Sequence, residues 1–491
     1  MPKSYEELMG AYGRAVFFRP ERRRVRDLLS RDARPQLLVA GEEHQLFDLS
    51  MNGVSFNVAD GARAWTVGAD VELTLLLYGQ EVFRGRGRVA RLEPGPRKGT
   101  RVALGLTTGF LDLPDILRRD EEGRLETQLK YGPEFWRTRI PQRFQDAVSR
   151  AVSFLHFYRQ ALDHHEARYK AAGGGGSEAV DALADRALAA LRDPWATIQR
   201  DASGAAVECL ADPEVLVAAK DFTETLVTPV MMVCPLVHRA YTKPLGYSGD
   251  YQVMLYYYNN ALEGDSVFAR VFHKLGVEHP LSAGVRSRKD FVVDLMEEEH
   301  ARCLAQPANE EVFRVASLGC GPAREASDFI ARRRGWPGQV VWTLIDQEDE
   351  ALSIAYHGSH SELKATGANG ALHCLNLSFI QILRDPTMVP VEHPQHLIFS
   401  TGLFDYLRES TAQVLVRALY DQLAPGGLLA LGNALAPNDH FWSPEFILDW
   451  TMLYRTREEM VRLTAKLPGS ARADITVEPG GAYYFLLVRK P

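Results

Sequence analysis

The chain has 491 residues, of which 46% are hydrophobic and 24% charged, with a formal net charge of −7. This length predicts two or three domains with their own cores, and no apolar run approaches the roughly eighteen residues of a transmembrane helix. The charge gives no indication of a general nucleic-acid binder, and five scattered cysteines without a C-x-x-C pair argue against structural zinc and disulfides. Because residues 1–10 lack the order of a secretory signal, we expect a cytoplasmic protein.

The sequence predicts a basic arm followed by short strands in residues 1–119. Eight arginines lie between Arg14 and Arg34, against three acidic residues. Alternating apolar residues, separated by turn residues, predict strands at 35–41, 44–50, 53–58, 70–78, 81–93 and 101–108. A run of such short strands is typical of a small β-barrel.

Two motifs lie in this region. Arg22 and Arg26 form an R-x-x-x-R pair, and about twenty residues later Asp48, Ser50 and Gly53 form D-x-S-x-x-G. In order and spacing the two motifs resemble the PilZ domain, which implies that the barrel binds cyclic di-GMP. The arginines would stack on guanine and pair with its acceptor edge and the phosphates. Asp48 and Ser50 would meet the donor edge of a guanine, and Gly53 would allow a tight turn.

The basic arm has a second interpretation, since a surplus of arginines beside a barrel also suits nucleic acid. The D-x-S-x-x-G motif at the right distance favours the dinucleotide, with Arg23 as a further contact. We therefore expect no nucleic-acid partner.

Residues 120–290 predict a helical region. Apolar residues recur at helical spacing over 141–170, and a second helix follows the glycines at 173–176. The histidines, such as His156, His164 and His165, lack the spacing of a metal site, so we expect no bound metal.

A segment rich in glycine and tyrosine lies in this helical region. It carries Tyr241, Tyr247 and Asp250 immediately before an aromatic helix that includes residues 256–258. Such a segment is either a loop packed on its own helix or a cap that closes over a ligand cleft. We favour the cap and treat these three residues as catalytic candidates.

The most informative segment is 312–346. An apolar strand runs into Gly319, Cys320 and Gly321, and the next strand ends at Asp346. Glycines let the backbone approach a ligand where a helix begins, and an acid that closes the next strand accepts hydrogen bonds from ribose hydroxyls. A dinucleotide fingerprint needs a third glycine where Arg324 stands, so the pattern favours a ligand without phosphates, S-adenosylmethionine.

The following elements alternate between strands and helices, which predicts a doubly wound parallel sheet. Strands are expected at 371–377, 396–407 and 428–434, helices at 410–423 and about 444–466, and a closing hairpin at 473–490. With the L-x-P-G-G sequence at 423–427, this order resembles class I S-adenosylmethionine-dependent methyltransferases over roughly 285–491, and we assign that domain to 291–491. The alternative is another Rossmann-like protein that has lost or changed its ligand.

The resemblance implies where the cofactor and the chemistry lie. The cofactor-binding candidates are Gly319, Cys320, Gly321, Glu325, Asp346, Gln347, Asn376, Leu377, Thr401 and Gly402. Glu325 would bind the cofactor ammonium, unless it is a helix-surface acid, and the residues after the second and third strands would surround the adenine. Asp405 and Tyr406 follow the fourth strand, where doubly wound sheets place their chemistry, and are also catalytic candidates.

Three sequences are similar to a narrower methyltransferase family, the extracellular factor 3-hydroxypalmitic acid methyl ester biosynthesis proteins. They are PLGYxGD at 244–250, LGCGPAxE at 318–325 and GLFDYL at 402–407, and the similarity extends over roughly 130–491. It implies O-methylation of a carboxyl group of a (hydroxy) fatty acid or a similar small apolar acid.

The chemistry leaves three alternatives open. A carboxylate acceptor needs only alignment with the sulfonium methyl group and exclusion of water. A hydroxyl or amine acceptor needs a general base, for which Asp250 and Asp405 are the candidates. A non-catalytic cyclic di-GMP effector would use the methyltransferase fold as a binding platform. The sequence does not decide whether cyclic di-GMP activates or inhibits.

Overall fold

The computed structural model describes residues 23–29, 33, 35–59, 65–94, 99–132, 134–171, 176–305, 312–332, 336–384 and 393–491. They form two compact units, one ending at Thr138 and the other spanning Arg139–Pro491. The predicted contact Arg22 lies outside the described residues, as do the side chains of Arg23 and Arg26. No helix in the described part of the chain combines the length and apolarity that crossing a membrane requires.

The first unit is a barrel. Its strands, in the part of the unit that the structure describes, are β1 (Arg23–Arg24), β2 (Gln36–Val39), β3 (Glu42–Ser50), β4 (Gly53–Val58), β5 (Asp70–Leu77), β6 (Gln80–Pro94) and β7 (Thr100–Leu106). Antiparallel pairing runs β3-β2-β5-β6-β7-β4, and β4 pairs with β3 again, which closes six strands into a ring. The short β1 adds to β3. The predicted small β-barrel is confirmed.

The alternation of apolar residues explains the barrel core. In β5, Val71, Leu73, Leu75 and Leu77 are buried and the residues between them are more exposed. Successive side chains of a strand point to opposite faces, so one face of β5 fills the barrel interior. The fully buried Phe56 of β4 belongs to the same core.

The described part of the first unit also contains the helices α1 (Val25–Leu28), α2 (Leu113–Tyr131) and α3 (Glu134–Arg137). The Tyr78 hydroxyl, after β5, donates a hydrogen bond of 2.9 Å to Oδ1 of Asp120 on α2. Gly123 lies against the same tyrosine ring, where a Cβ atom would come within 2.5 Å of a ring carbon. A glycine at this position therefore lets α2 pack closely on the barrel.

The second unit begins with helices. They are α4 (Gln142–Ala171), α5 (Gly176–Ala206), α6 (Pro213–Leu226), α7 (Thr228–Met231), α8 (Pro235–Thr242), α9 (Tyr251–Asn259), α10 (Val267–Val277) and α11 (Pro280–Leu304). Buried aromatic rings hold them together, with Trp195 of α5 5.4 Å from Phe272 of α10 between ring centroids. Trp442, from a later segment of the chain, lies 6.5 Å from Trp195. The helices and the C-terminal segment thus share one core.

The seven strands of the second sheet follow. They are β8 (Val312–Leu318), β9 (Gln339–Asp346), β10 (Gly370–Asn376), β11 (Gln395–Ser400), β12 (Leu423–Ala434), β13 (Arg472–Val477) and β14 (Tyr483–Arg489). The order is β10-β9-β8-β11-β12-β14-β13, in which β8 to β12 are parallel and β14 is antiparallel to both of its neighbours. The helices between them are α12 (Arg324–Arg332), α13 (Asp349–Thr366), α14 (Phe379–Arg384), α15 (Glu409–Asp421) and α16 (Arg457–Arg462).

This strand order confirms the predicted Rossmann-like sheet with a final antiparallel hairpin. The chain order reverses between β8 and β11, and ligands of doubly wound sheets bind beyond the carboxyl ends of such strands. The long α11 leads into β8 and belongs to the same compact unit as the sheet. The domain borders proposed at 119/120 and 290/291 stay predictions.

Two predicted elements differ from the structure. The strand expected over 396–407 ends at Ser400, and a short 3₁₀ helix follows at Leu403–Tyr406. The helix expected at about 444–466 is instead a π-helical turn at Ser443–Ile447, an irregular segment and the short α16. Asp449 has a positive φ of 46°, which a continuous α-helix does not tolerate, and the Thr456 side chain caps a new helix start.

Candidate functional site

The glycine turn after β8 is held against the end of β9. The backbone N–H groups of Gly319 and Cys320 donate to the Ile345 carbonyl at 2.8 and 3.0 Å. Gly319 and Gly321 have φ values of 64° and 53°, a region that L side chains rarely adopt. A Cβ atom at Gly321 would meet nothing within 4 Å, so the turn faces open space in which a ligand fits.

Asp346 closes β9 beside this turn. Its Oδ2 accepts a 2.8 Å hydrogen bond from the N–H of Gly321, and its Oδ1 accepts a 3.0 Å hydrogen bond from the N–H of Glu348. Burial raises the pKa of this carboxyl above its usual value, and the backbone N–H donors act in the opposite direction. Each carboxylate oxygen has a second lone pair, so Asp346 retains acceptor capacity for hydroxyl groups of a ligand.

A cavity of about 440 Å³ opens beyond the strand ends and extends under the helices of the second unit. One side, which we call the sheet wall, consists of Gly319, Cys320, Gly321, Asp346, Gln347, Leu377, Thr401, Gly402, Asp405 and Tyr406. The opposite side, the helical wall, includes Trp195, Met231, Val237, Tyr247, His279, Arg288, Leu448 and Trp450. Eight of the ten cofactor-binding candidates and three of the five catalytic candidates therefore line one space.

The glycine-rich segment before α9 closes this space. The Tyr247 ring lies near Gln347, with which its hydroxyl shares a hydrogen bond, and burial followed by the nearby carboxylates raises the pKa of this tyrosine. A Cβ atom at Gly249 would lie 2.6 Å from the Trp450 ring and 2.9 Å from the Tyr406 hydroxyl oxygen. Only glycine fits there without displacing these two rings.

Asp250 has a different place from the one predicted. Its Oδ1 accepts 3.0 Å hydrogen bonds from the N–H groups of Gln252 and Val253, which makes it the N-cap of α9. Its Oδ2 accepts a 2.8 Å hydrogen bond from Nε of Arg239, and the side chain is fully buried. Asp250 is not among the described residues that line the cavity. These contacts give it a structural role that requires no ligand.

Three other candidates, Tyr241, Asn376 and Glu325, are also not among the described residues that line the cavity. Tyr241 donates a 3.1 Å hydrogen bond to Glu224, and Asn376 donates to the Gln347 carbonyl at 3.3 Å. Glu325 is buried, and burial raises the pKa of its carboxyl. The hydroxyl of Tyr258, which does line the cavity, reaches Oε1 of Glu325 at 3.5 Å.

Asp405 lies on the sheet wall after β11. Its Oδ1 accepts a 2.7 Å hydrogen bond from the N–H of Ala434, and its Oδ2 lies 3.7 Å from Nη1 of Arg288. Burial raises the pKa of Asp405 to about 6, although Arg288 and the Ala434 N–H act in the opposite direction. A buried carboxyl that titrates near neutral pH is suited to proton transfer.

Sequence reasoning missed most of the helical wall. Arg288 carried one usable signal, because it falls between Val285 and Val292 on the buried stripe of α11. An arginine on an apolar stripe indicates a buried charge with a specific partner. Trp450 carried no such signal, since it was assigned to a continuous helix.

The D-x-S-x-x-G motif lies at the turn between β3 and β4. Ser50 pairs with Gly53 across the two strands, and the Ser50 hydroxyl donates to the Gly53 carbonyl at 3.3 Å. β1 pairs with the same part of β3, so that Arg23 lies opposite Leu49 and the next residue lies opposite Asp48. The backbone of the basic arm and the motif are therefore adjacent.

Comparisons with known proteins add little at the sequence level. No protein-family model matches the chain, and no curated protein matches it in sequence. Among solved structures, a possible exported protein of Bordetella parapertussis is similar over 49% of this chain and 79% of its own, at 17% identity and a TM-score of 0.37.

Two methyltransferase structures are also similar. The magnesium protoporphyrin IX methyltransferase of Synechocystis, with bound SAM, matches 52% of this chain and 96% of its own, at 10% identity and a TM-score of 0.32. The N-methyltransferase NodS of Bradyrhizobium japonicum, in complex with S-adenosylhomocysteine, is similar over 40% of this chain and 87% of its own, at 16% identity and a TM-score of 0.26. At these values the strand order of the sheet, rather than either likeness, identifies the fold.

Proposed function

We propose that this protein is an S-adenosylmethionine-dependent methyltransferase that O-methylates the carboxyl group of a (hydroxy) fatty acid or a similar small apolar acid. The observation that carries this proposal is the cavity of about 440 Å³, because it joins the sheet wall to a largely apolar helical wall. This volume lies within the range of small-molecule sites.

The sheet wall fits the nucleoside and methionine parts of the cofactor. Asp346 would accept hydrogen bonds from the ribose hydroxyls, and the open side of the turn at Gly321 would admit the ligand against the backbone. The aliphatic side chain of Leu377, at the end of β10, suits one face of the adenine. The absence of a third glycine at Arg324 matters little for a ligand without a pyrophosphate.

The helical wall fits an apolar acceptor. Trp195, Met231, Val237 and Leu448 are buried and give this side of the cavity a hydrocarbon surface. Burial lowers the pKa of His279 to about 3, so its ring is neutral, and Nε2 has no hydrogen-bond partner among the described residues. An acyl chain would pack on the apolar side chains, and a hydroxyl group on that chain would pair with His279.

Methylation of a carboxylate would require no proton transfer by these residues. Bound S-adenosylmethionine supplies an electrophilic methyl group, which passes to the acceptor oxygen as the carbon–sulfur bond breaks and its electron pair stays on sulfur. A carboxylate is already ionised at neutral pH, so no base takes part. Tyr247, Tyr406 and Trp450 would exclude water and hold the two reactants in line.

A second acceptor class has one observation in its favour. The raised pKa of Asp405, about 6, suits a general base that would take the proton of an acceptor hydroxyl. Asp405 lines the cavity from the short 3₁₀ helix that follows β11, beyond the carboxyl end of the sheet, where doubly wound sheets place their reacting groups.

Product identification separates the two acceptor classes. The purified protein is incubated with S-adenosylmethionine and either 3-hydroxydodecanoic acid, dodecanoic acid or 1-dodecanol, and the products are identified by mass spectrometry. We expect methyl esters from the acids, and Asp405→Asn should still form them because no base is needed. An ether product that Asp405→Asn abolishes would instead support the second class. Binding of S-adenosylhomocysteine without turnover of any acceptor would support a non-catalytic effector.

We also propose that the barrel binds cyclic di-GMP and so regulates the enzyme. The supporting observation is that β1 pairs with β3 beside the D-x-S-x-x-G turn, with the backbone of Arg23 opposite Leu49 and that of Arg24 opposite Asp48. Guanidinium groups and a turn of this kind offer the donors and acceptors that a guanine base and its phosphates require.

Calorimetry with a matched double variant tests this binding. Replacing Arg22 and Arg26 with alanine should abolish cyclic di-GMP binding and leave the affinity for S-adenosylhomocysteine unchanged. Replacing Arg14 and Arg19 with alanine removes the same charge from the same arm and should retain binding. If the motif variant binds the dinucleotide as well as the wild type does, the proposal fails. Competition of DNA with cyclic di-GMP would support the nucleic-acid alternative.

A further inference from the structure

The helix α11 places a positive charge inside the cavity wall. Arg288 occupies a position on the buried stripe of this helix, between Val285 and Val292, and is only 5% exposed. It lines the cavity at the point where the sheet wall and the helical wall meet. A buried arginine is rare without a specific anionic partner.

No partner among the described residues fully satisfies this guanidinium group. The nearest carboxylate oxygen is Oδ2 of Asp405, 3.7 Å from Nη1, which is longer than a hydrogen bond. The buried Nε has no hydrogen-bond partner among the described residues. Its Cζ lies over the Tyr483 ring, 4.4 Å from the ring centroid, a contact that supports the positive charge.

Close packing against Gly402 fixes where the guanidinium group of Arg288 lies. Gly402, two residues after the end of β11, lies so close that a Cβ atom there would be 3.0 Å from Nη2. A larger residue at position 402 would push the guanidinium group away from the strand end. The glycine thus lets the planar donor fork lie directly at the switch point between β8 and β11.

We propose that Arg288 is the carboxylate-binding residue of this cavity. A guanidinium group with free donors in one plane forms a bidentate pair with a carboxylate, and such a pair would satisfy Nε together with a terminal nitrogen. The inference rests on the proposed methyltransferase function, which offers two carboxylates, that of the methionine part of the cofactor and that of an acidic acceptor. One guanidinium group in this position binds one of them.

Calorimetry with paired ligands identifies the source. S-adenosylhomocysteine carries the amino-acid carboxylate and 5′-methylthioadenosine lacks it, while octanoic acid and 1-octanol differ in the same way on the acceptor side. The variants are Arg288→Met, Arg288→Lys as the conservative replacement, and Arg324→Met as an exposed control on α12.

The proposal predicts a selective loss. If the ligand is the cofactor carboxylate, Arg288→Met weakens the binding of S-adenosylhomocysteine by at least about tenfold and leaves the affinity for methylthioadenosine unchanged. If the ligand is the acceptor carboxylate, the affinity for octanoic acid falls by a similar factor. The affinities for 1-octanol and for both nucleosides are then unchanged. In either case Arg288→Lys restores part of the affinity and Arg324→Met has no effect.

Two outcomes overturn the proposal. One is that Arg288→Met leaves both carboxylate ligands within about twofold of the wild-type affinity. The other is an equal loss for each ligand and its carboxylate-free counterpart, which would show only a change of cavity shape. Octanoic acid binding that depends on Arg288, in a wild-type protein that binds no S-adenosylhomocysteine, would sustain this proposal and refute the methyltransferase. A wild type that binds neither carboxylate ligand would refute both.

Discussion

The two walls of the cavity differ in how the chain builds them. The sheet wall comes from short segments at or after the ends of strands, and it combines backbone groups with two carboxylates, Asp346 and Asp405. The helical wall draws single side chains from helices and irregular segments spread over 195–288 and 443–483. A fold of this class thus fixes the sheet wall through its strand order, whereas the helical wall depends on the packing of distant segments. The sheet wall suits a constant ligand, and the helical wall suits one that defines specificity.

Removing the carboxylate of Asp346 should produce the largest effect. Asp346→Ala takes away the proposed acceptor for two ribose hydroxyls, and each charge-assisted hydrogen bond contributes about 1.5–3 kcal/mol. We expect the dissociation constant of S-adenosylhomocysteine, measured by calorimetry, to rise by at least about tenfold. Glu350→Ala, an exposed acid at the start of α13, is the control and should bind normally. A folded Asp346→Ala protein with wild-type affinity would mean that the nucleoside lies elsewhere.

A larger side chain on the helical wall should change which acceptors are methylated and leave cofactor binding unchanged. Val237 is buried and lines the cavity, so Val237→Phe adds volume where an acyl chain would lie. We expect the rate of methylation of dodecanoic acid to fall by at least about tenfold relative to that of a four-carbon acid, because overpacking excludes the longer chain. The same substitution at Val233, which is 42% exposed, is the control. Equal losses for both acids would contradict an acyl site on this wall, and retained binding of S-adenosylhomocysteine confirms folding.

The sequence was sufficient for one wall and not for the other. Gly319, Gly321 and Asp346 could be placed because local rules connect a glycine turn and a strand-ending acid to a sheet edge. Val237 and Trp450 reach the same cavity through packing between segments about two hundred residues apart, and no local pattern carries that information. Contacts at such sequence separation are fixed by the folded core.

Asp250 shows a second limit of sequence reasoning. Its place before an aromatic helix is equally typical of a catalytic acid in a cap and of a helix N-cap, because both use an acid at a loop–helix boundary. In the structure Asp250 is the helix N-cap, and Arg239 donates a 2.8 Å hydrogen bond to the carboxylate oxygen that does not cap the helix. Arg239 itself lies eleven residues earlier in the chain, so a pair of this kind could have been considered from the sequence.

The pH dependence of stability distinguishes Asp405, the second acid of the sheet wall, from an ordinary surface carboxyl. The pKa of Asp405 rises from 3.8 to about 6 on folding, chiefly through burial, so the folded state binds the proton more tightly than the unfolded state. The stability that this proton provides is complete below the unfolded pKa and is lost as the pH rises through about 6. Asp405→Asn does not titrate. From pH 5 to pH 7.5, the free energy of unfolding of the wild type should therefore fall relative to this variant by roughly 1–2 kcal/mol.

Denaturant unfolding of both proteins at several pH values measures this difference. Asp70, an exposed acid of the barrel, supplies the control, because Asp70→Asn should show no comparable trend between pH 5 and pH 7.5. A difference between the wild type and Asp405→Asn that is flat, or that grows in favour of the wild type as the pH rises, would exclude the raised pKa.

Coupling between cyclic di-GMP and the cavity should be the smallest effect. If the dinucleotide regulates the enzyme, it must bind with different affinity to two states of the protein that also differ in affinity for S-adenosylhomocysteine. Linkage then requires that each ligand change the dissociation constant of the other by the same factor, and we expect about fivefold, the lower end of typical coupling. Titration of each ligand at saturation with the other measures both factors, and the Arg22→Ala, Arg26→Ala double variant should remove them. Unchanged affinities in both titrations, with turnover also unaffected, would reduce the barrel to a tether or a localisation module.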